Sequence, residues 1–90
     1  MIITFFIIFN KLQKKLIDRI NYLCNERNYS YYILAYKADI PLSTLIHIMD
    51  GTSKNPGIYS IYKICVGLDI SLKDFFNDKD FEVLIKEDLE

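Results

Sequence analysis

The chain has 90 residues, 51 % hydrophobic and 26 % charged, which allows one small domain and is too apolar for a disordered chain. The formal net charge of −1 is unevenly spread: residues 1–77 carry 9 Lys/Arg against 6 Asp/Glu, and residues 78–90 carry 2 against 6. A mildly basic body thus precedes an acidic tail, a split that permits phosphate binding without arguing for a tight clamp.

The first nine residues, MIITFFIIF, are almost wholly apolar. A membrane span takes about 20 such residues, so this run is too short to cross. It also lacks the basic start and small-residue cleavage site of a secretory leader. Its β-branched and aromatic content predicts a strand rather than a helix. Three roles stay open for it: covering a groove on its own domain, meeting a partner chain, or reflecting a start codon placed too early.

Asn10 is the expected cap of a first helix over about residues 11–27. Leu12, Leu16, Ile20, Leu23 and Cys24 form its apolar stripe. Lys14, Lys15, Asp18, Arg19 and Asn21 are expected mostly on its wet faces. Cys24 and Cys65 each sit in an apolar helical pattern and read as free buried thiols of a reducing compartment, with a disulfide or metal site as the lesser alternative. One histidine and no Cys-x-x-Cys leave a zinc site short of ligands.

Ser30 to Gly51, SYYILAYKADIPLSTLIHIMDG, reads as two short helices joined by a tight turn. Ser30 is a good N-cap, and Leu34, Ala35 and Ala38 share one helix face. Asp39 breaks the pattern where the chain turns, and Asp tolerates the left-handed conformation better than most residues. Pro41 stands at or just before the next first turn, where its missing N–H costs nothing. Leu45 and Ile48 make the inward stripe, and Gly51 supplies the C-terminal cap. Leu42, Ser43, Ile46, His47 and Asp50 lie across from that stripe.

A loop with turn chemistry, Thr52 to Gly57, follows. The next helix is predicted over about 58–68, with Ile58, Ile61, Tyr62, Ile64, Cys65 and Leu68 as its core stripe. Ser71 and Asp74 form a capping box for a short fifth helix that ends with Phe75 and Phe76 in the core. Phe81, Leu84, Ile85 and Leu89 then make a 3/4-spaced stripe on an acidic segment, a candidate sixth helix that docks at home or on another subunit. The apolar ends, residues 2–9 and this stripe, are expected to bury against each other.

The ordered set Ser30, Leu34, Ala35, Ala38, Ile40, Ser43, Thr44, Leu45, Ile48 and Gly51 resembles the helix-turn-helix of phage repressors and Cro, also called the xenobiotic-response-element (XRE) family. The resemblance starts near Arg19-Ile20 and continues through Asn55-Pro56, Ile58, Ile61, Ile64, Leu68 and Ile70-Ser71-Leu72 to Phe75-Phe76, roughly two-thirds of the chain. It implies an all-α, lambda-repressor-like DNA-binding domain of five helices over residues 11–77. Residues 1–10 are then an apolar N-terminal extension, and residues 78–90 an acidic tail with room for the short sixth helix. Relatives commonly pair Arg at the position of Cys24 with Glu at that of Met49, so a hydrophobic contact between these two is expected here. Relatives also usually carry Gly where this chain has Asp39 and Asp69, which implies positive φ at both.

Function follows from the same comparison. The second helix of the pair enters the major groove of double-stranded DNA and reads base edges. Carried over by position, the base readers are Leu42, Ser43, Ile46 and His47. Ser43 can donate or accept, and His47 can donate to guanine N7 or O6, whereas Leu42 and Ile46 can only pack on a thymine methyl. Tyr31, Thr44, Ser53, Lys54 and Asn55 would meet phosphate and set register. The expected protein is a cytoplasmic transcriptional regulator acting as a homodimer, without cofactor, metal or small-molecule ligand. An enzyme is not expected, because His47 lacks an acid or nucleophile partner at triad order and no Gly-rich phosphate loop exists. The alternative is a protein-interaction or antitoxin-like module on the same fold. Leu42 and Ile46 speak for it, since apolar side chains weaken a reading face, and Tyr32, Ile33 and Tyr36 add apolar area beside them.

Overall fold

The computed structural model describes the backbone of residues 2–89 and the side chains of residues 11–84 and 86. Six helices follow one another: α1 (Ile2–Arg27), α2 (Tyr31–Ala38), α3 (Leu42–Met49), α4 (Ile58–Leu68), α5 (Leu72–Phe75) and α6 (Lys79–Leu89). No strand occurs among the described residues, so the all-α expectation holds.

Helix α1 corrects two expectations at once. Residues 2–9 continue the helix instead of forming a strand, and Asn10 lies inside it, not at its cap. Once a helix is nucleated, each added residue gains a hydrogen bond, and the preference of β-branched residues against helix is only a few tenths of a kcal/mol. The proposed burial of residues 2–9 against the tail rests on side chains outside the described residues, as do those of Ile85 and Leu89. Within the described part, Phe81 is buried and Leu84 half-buried where α6 packs on α1.

The core is one cluster. Leu16, Ile20, Leu23 and Cys24 of α1 meet Leu34, Ala35, Leu45, Ile48, Met49, Ile61, Ile64, Cys65, Leu68 and Phe75. Cys24 and Met49 are both buried in it, and both cysteines are free. Burial pushes both thiols above their ordinary range. Several residues assigned to the core face water instead. Leu12 is 47 %, Ile58 69 % and Tyr62 53 % exposed, and Phe76 is also open. On α4 the inward direction is set by Ile61, Ile64, Cys65 and Leu68, and residues 58 and 62 rotate off that face.

Three helices end in the same way. Asn28, Asp39 and Asp69 adopt left-handed φ of 57°, 56° and 56°. Each is followed by a residue whose N–H reaches back five positions: Tyr29 to Cys24 O at 2.9 Å, Ile40 to Ala35 O at 3.1 Å and Ile70 to Cys65 O at 3.0 Å. This is the Schellman closure with Asn or Asp in place of Gly, and its customary hydrophobic contact is present, since Tyr29, Ile40 and Ile70 all pack on the core. The left-handed conformation expected of Asp39 and Asp69 is therefore found, and Asn28 joins them. Ser30 and Ser71 cap α2 and α5 as expected, accepting from Ile33 N–H at 3.2 Å and Asp74 N–H at 3.0 Å.

Helices α2 and α4 approach closely. A Cβ placed on Gly67 would lie 2.8 Å from the backbone nitrogen of Ala38. Only glycine fits there, and Ala35 and Ala38 keep the facing side of α2 small. Three polar side chains of α1 then tie the bundle together. Arg27 Nε donates to Leu68 O at 2.7 Å, and Arg19 donates to Phe75 O and Asp74 O at 2.8 and 2.9 Å. Gln13 Nε2 donates to Gly51 O and Ser53 O at 3.0 and 3.1 Å. Lys15 and Arg19, expected mostly on wet faces, are largely covered, with side chains 16 % and 12 % exposed, because α5 and α6 fold over them.

Candidate nucleic-acid interface

Helix α3 presents two faces. Leu45, Ile48 and Met49 are buried, while Leu42, Ser43, Ile46 and His47 are exposed together on the opposite side. Their spacing of one, three and one residues is that of a single helix face. Leu42 and Ile46 are each 40 % exposed, so their apolar surface is available to whatever meets this face.

The turn that carries α2 into α3 is fixed by Asp39 and by Pro41, which precedes α3 with φ −59° and ψ 141°. Pro41 O accepts from Leu45 N–H at 3.2 Å, so the helix starts directly after the proline. With α2 locked on α4 through Gly67, the orientation of α3 is held from behind. The four outward residues are therefore presented by a rigid element.

The loop after α3 is equally constrained. Ser53 N–H donates to His47 O at 2.8 Å, Gly51 adopts φ 84°, and the two bonds from Gln13 pin the loop to α1. Lys54 and Asn55 are exposed at its tip, and Ser53 is half-buried. Thr44 is half-buried on α3. Tyr31 is half-buried at the start of α2 and its hydroxyl donates to Asn21 Oδ1 at 2.6 Å. While that bond lasts, the Tyr31 oxygen has lone pairs but no hydrogen to offer a phosphate.

Two further residues, to which no site role was expected, shape this surface. Gln13 is one. Thr52 is the other: its hydroxyl lies 2.6 Å from Asp50 Oδ1 and 3.0 Å from His47 Nδ1, and its backbone N–H donates to Asp50 Oδ1 at 2.9 Å. These bonds from Thr52, side chain first and backbone second, hold the Asp50 carboxyl below the usual carboxylate range, and His47 adds to the effect. Asp-x-Thr at a helix end is a recognisable local turn in which the Asp side chain binds the backbone two residues on. Gln13 left no such signal, since its partners are backbone carbonyls 38 and 40 residues away.

No group of three or more His, Cys, Asp or Glu side chains that could hold a metal ion occurs among the described residues. Among them, no helix is long and apolar enough to cross a membrane. The family model for the Cro/C1-type helix-turn-helix DNA-binding domain matches residues 19–80, more than two-thirds of the chain. No curated protein and no solved structure matches it.

Proposed function

Because the chain belongs to the Cro/C1-type helix-turn-helix DNA-binding family, we propose that it is a sequence-specific transcriptional regulator that lays α3 in the major groove as a homodimer. The observation that carries this reading is the outward face of α3. Leu42, Ser43, Ile46 and His47 are exposed together on one rigid helix, with exposed Lys54 in the loop just beyond its C-terminal end. Ser43 and His47 supply hydrogen bonds to base edges, and Leu42 and Ile46 pack on thymine methyls. Lys54, Asn55, Ser53, Thr44 and Tyr31 set register on phosphates, Tyr31 after releasing Asn21. The apolar band Ile58, Tyr59, Tyr62 and Val66, exposed along one side of α4, supports association with a second copy.

Binding to a pool of random duplexes at low salt tests the reading. Ser43→Ala and His47→Ala should each lose about 1–3 kcal/mol on the selected site and little on random duplex. Lys54→Ala should weaken binding to every sequence alike and lower the salt slope by about one unit. A wild type that selects no sequence, or serine and histidine variants that bind as well as wild type, would refute it. The exposure of Leu42 and Ile46 favours a second reading, a protein-interaction module whose partner covers this face. Such a module would bind DNA weakly at all salt concentrations, whereas a regulator's affinity falls steeply as salt rises.

A further inference from the structure

The proton positions around His47 follow from its neighbours. Asp50, held ionised by its bonds, can only accept. Thr52 Oγ1 has a single hydrogen and two oxygens within reach, Asp50 Oδ1 at 2.6 Å and His47 O at 3.3 Å. The short contact to a carboxylate is the stronger one, so the hydrogen goes to Asp50. Oγ1 then has only lone pairs to turn toward His47 Nδ1 at 3.0 Å, and the imidazole must donate there. A neutral ring carries one hydrogen. With it on Nδ1, Nε2 bears the lone pair. Nε2 has no partner among the described residues and His47 is exposed on the same face as Ser43.

We propose that Asp50 and Thr52 act as positioning residues that fix His47 in its Nδ1–H tautomer, so that the neutral ring offers Nε2 as an acceptor and selects a base whose exocyclic amine lies in the major groove. The proposal rests on α3 being the base-reading helix. In the major groove the matching groups are adenine N6 and cytosine N4; guanine presents only acceptors, N7 and O6, and is refused. This reverses the donor role that the residue type alone suggests for His47. One unpaired acceptor set against another is worth about a tenfold preference on the contacted strand.

The tautomer can be read without DNA. A long-range proton–nitrogen correlation spectrum of the free protein at about pH 8.5, where an imidazole is neutral, should show the hydrogen on Nδ1. Asp50→Ala frees the Thr52 hydrogen to turn toward the ring, and Thr52→Val removes the bridge. Both should shift the population toward Nε2–H. At the same pH, sites selected from random duplexes by wild type should show adenine or cytosine favoured about tenfold over guanine at one position. In the two variants that preference should move toward guanine. Random-duplex affinity should hold in Thr52→Val, which keeps the charge, and rise for every sequence alike in Asp50→Ala, which removes a negative charge beside the phosphates. An Nε2–H tautomer in the wild type, or guanine at that position, would overturn the proposal. If no sequence is selected, the base-reading role of α3 fails and the base preference with it, while the spectrum still decides the tautomer by itself.

Discussion

The α2–α4 contact and the α1–α6 seam hold the same small bundle by opposite means. Between α2 and α4 the backbones nearly touch, at Gly67 and Ala38, and the surrounding residues are small or apolar. Between α1 and the start of α6 the contact is charged. Lys15 Nζ lies 3.2 Å from Asp78 and 3.0 Å from Asp80, and Arg19 lies 3.8 Å from Asp78. The lysine also sits over the Phe81 ring, 5.6 Å from its centre. Dispersion and shape do not respond to salt or proton activity, whereas paired charges do. The apolar contact behind α3 is therefore indifferent to salt and acid, and the responsive contact is the one that attaches the acidic tail.

Breaking the α2–α4 side should have the largest effect. Gly67→Val puts a branched side chain where even a Cβ meets backbone, and should cost about 2–3 kcal/mol, read as a lower denaturant midpoint. If Gly67→Val melts like wild type, α2 and α4 are not in the close contact described. The seam should be worth less. Asp78→Ala removes the carboxylate shared by Lys15 and Arg19, and its side chain is 22 % exposed, so about 1 kcal/mol is expected. That loss should shrink in 1 M salt, where charges are screened beyond about 3 Å, while the Gly67→Val penalty should not.

Acid offers a finer separation of the two contacts. Asp78 is held below the ordinary carboxylate range, first by the backbone N–H of Asp80 and then by Lys15 and Arg19. A depressed carboxyl stabilises the fold above its unfolded value, near pH 4, and that stability is lost as pH falls through the lower folded value. Lys15 shifts the other way. Burial pulls its pKa down, but its hydrogen bonds and charge attraction to Asp80 and Asp78 outweigh that and leave it raised. Its contribution is present below the ordinary lysine value and lost as pH rises above it. Wild type should thus lose stability at both extremes, and Asp78→Ala should flatten the acid limb. An unchanged acid limb in the variant would show that the seam titrates elsewhere.

The smallest effects come from the helix ends. Asp39→Gly and Asp69→Gly should each raise stability by about 0.5–1 kcal/mol, because glycine enters the left-handed region without steric cost. Asn28→Gly should gain less, since Asn is the better tolerated of the two side chains. A fall in melting temperature for all three would mean that side-chain bonds, not backbone strain, govern these turns.

What the sequence disclosed and what it hid divide along a physical line. Local features were legible: the caps at Ser30 and Ser71, the left-handed Asp39 and Asp69, the outward set Leu42, Ser43, Ile46 and His47, and the bounds of α4 all follow from neighbours within about one turn. Contacts between distant parts were not. Nothing near Gln13 announces that it binds the loop after α3, and nothing near Lys15 or Arg19 says that α5 and α6 will cover them. The apolar start misled for a related reason. Composition predicts what MIITFFIIF would do alone, but it is joined to a helix that was already growing. Ile58 and Tyr62 failed because a helix with apolar residues on two sides does not declare which side faces inward until its neighbours are placed.

The uninterrupted course of α1 also determines how the molecule moves through water. Twenty-six residues at about 1.5 Å each give a rod of about 39 Å, and the longest dimension of the whole molecule is 39 Å against 24 and 20 Å across. The length of the protein is thus the length of one helix. Tumbling of a single copy should be anisotropic, faster about that axis than end over end. Amide bonds in a helix run nearly parallel to its axis, so those of α1 reorient only with the slow end-over-end motion. Nitrogen relaxation along the chain should therefore report a longer correlation time for α1 than for helices that cross it, and a nick that unwinds residues 2–10 would make the two converge.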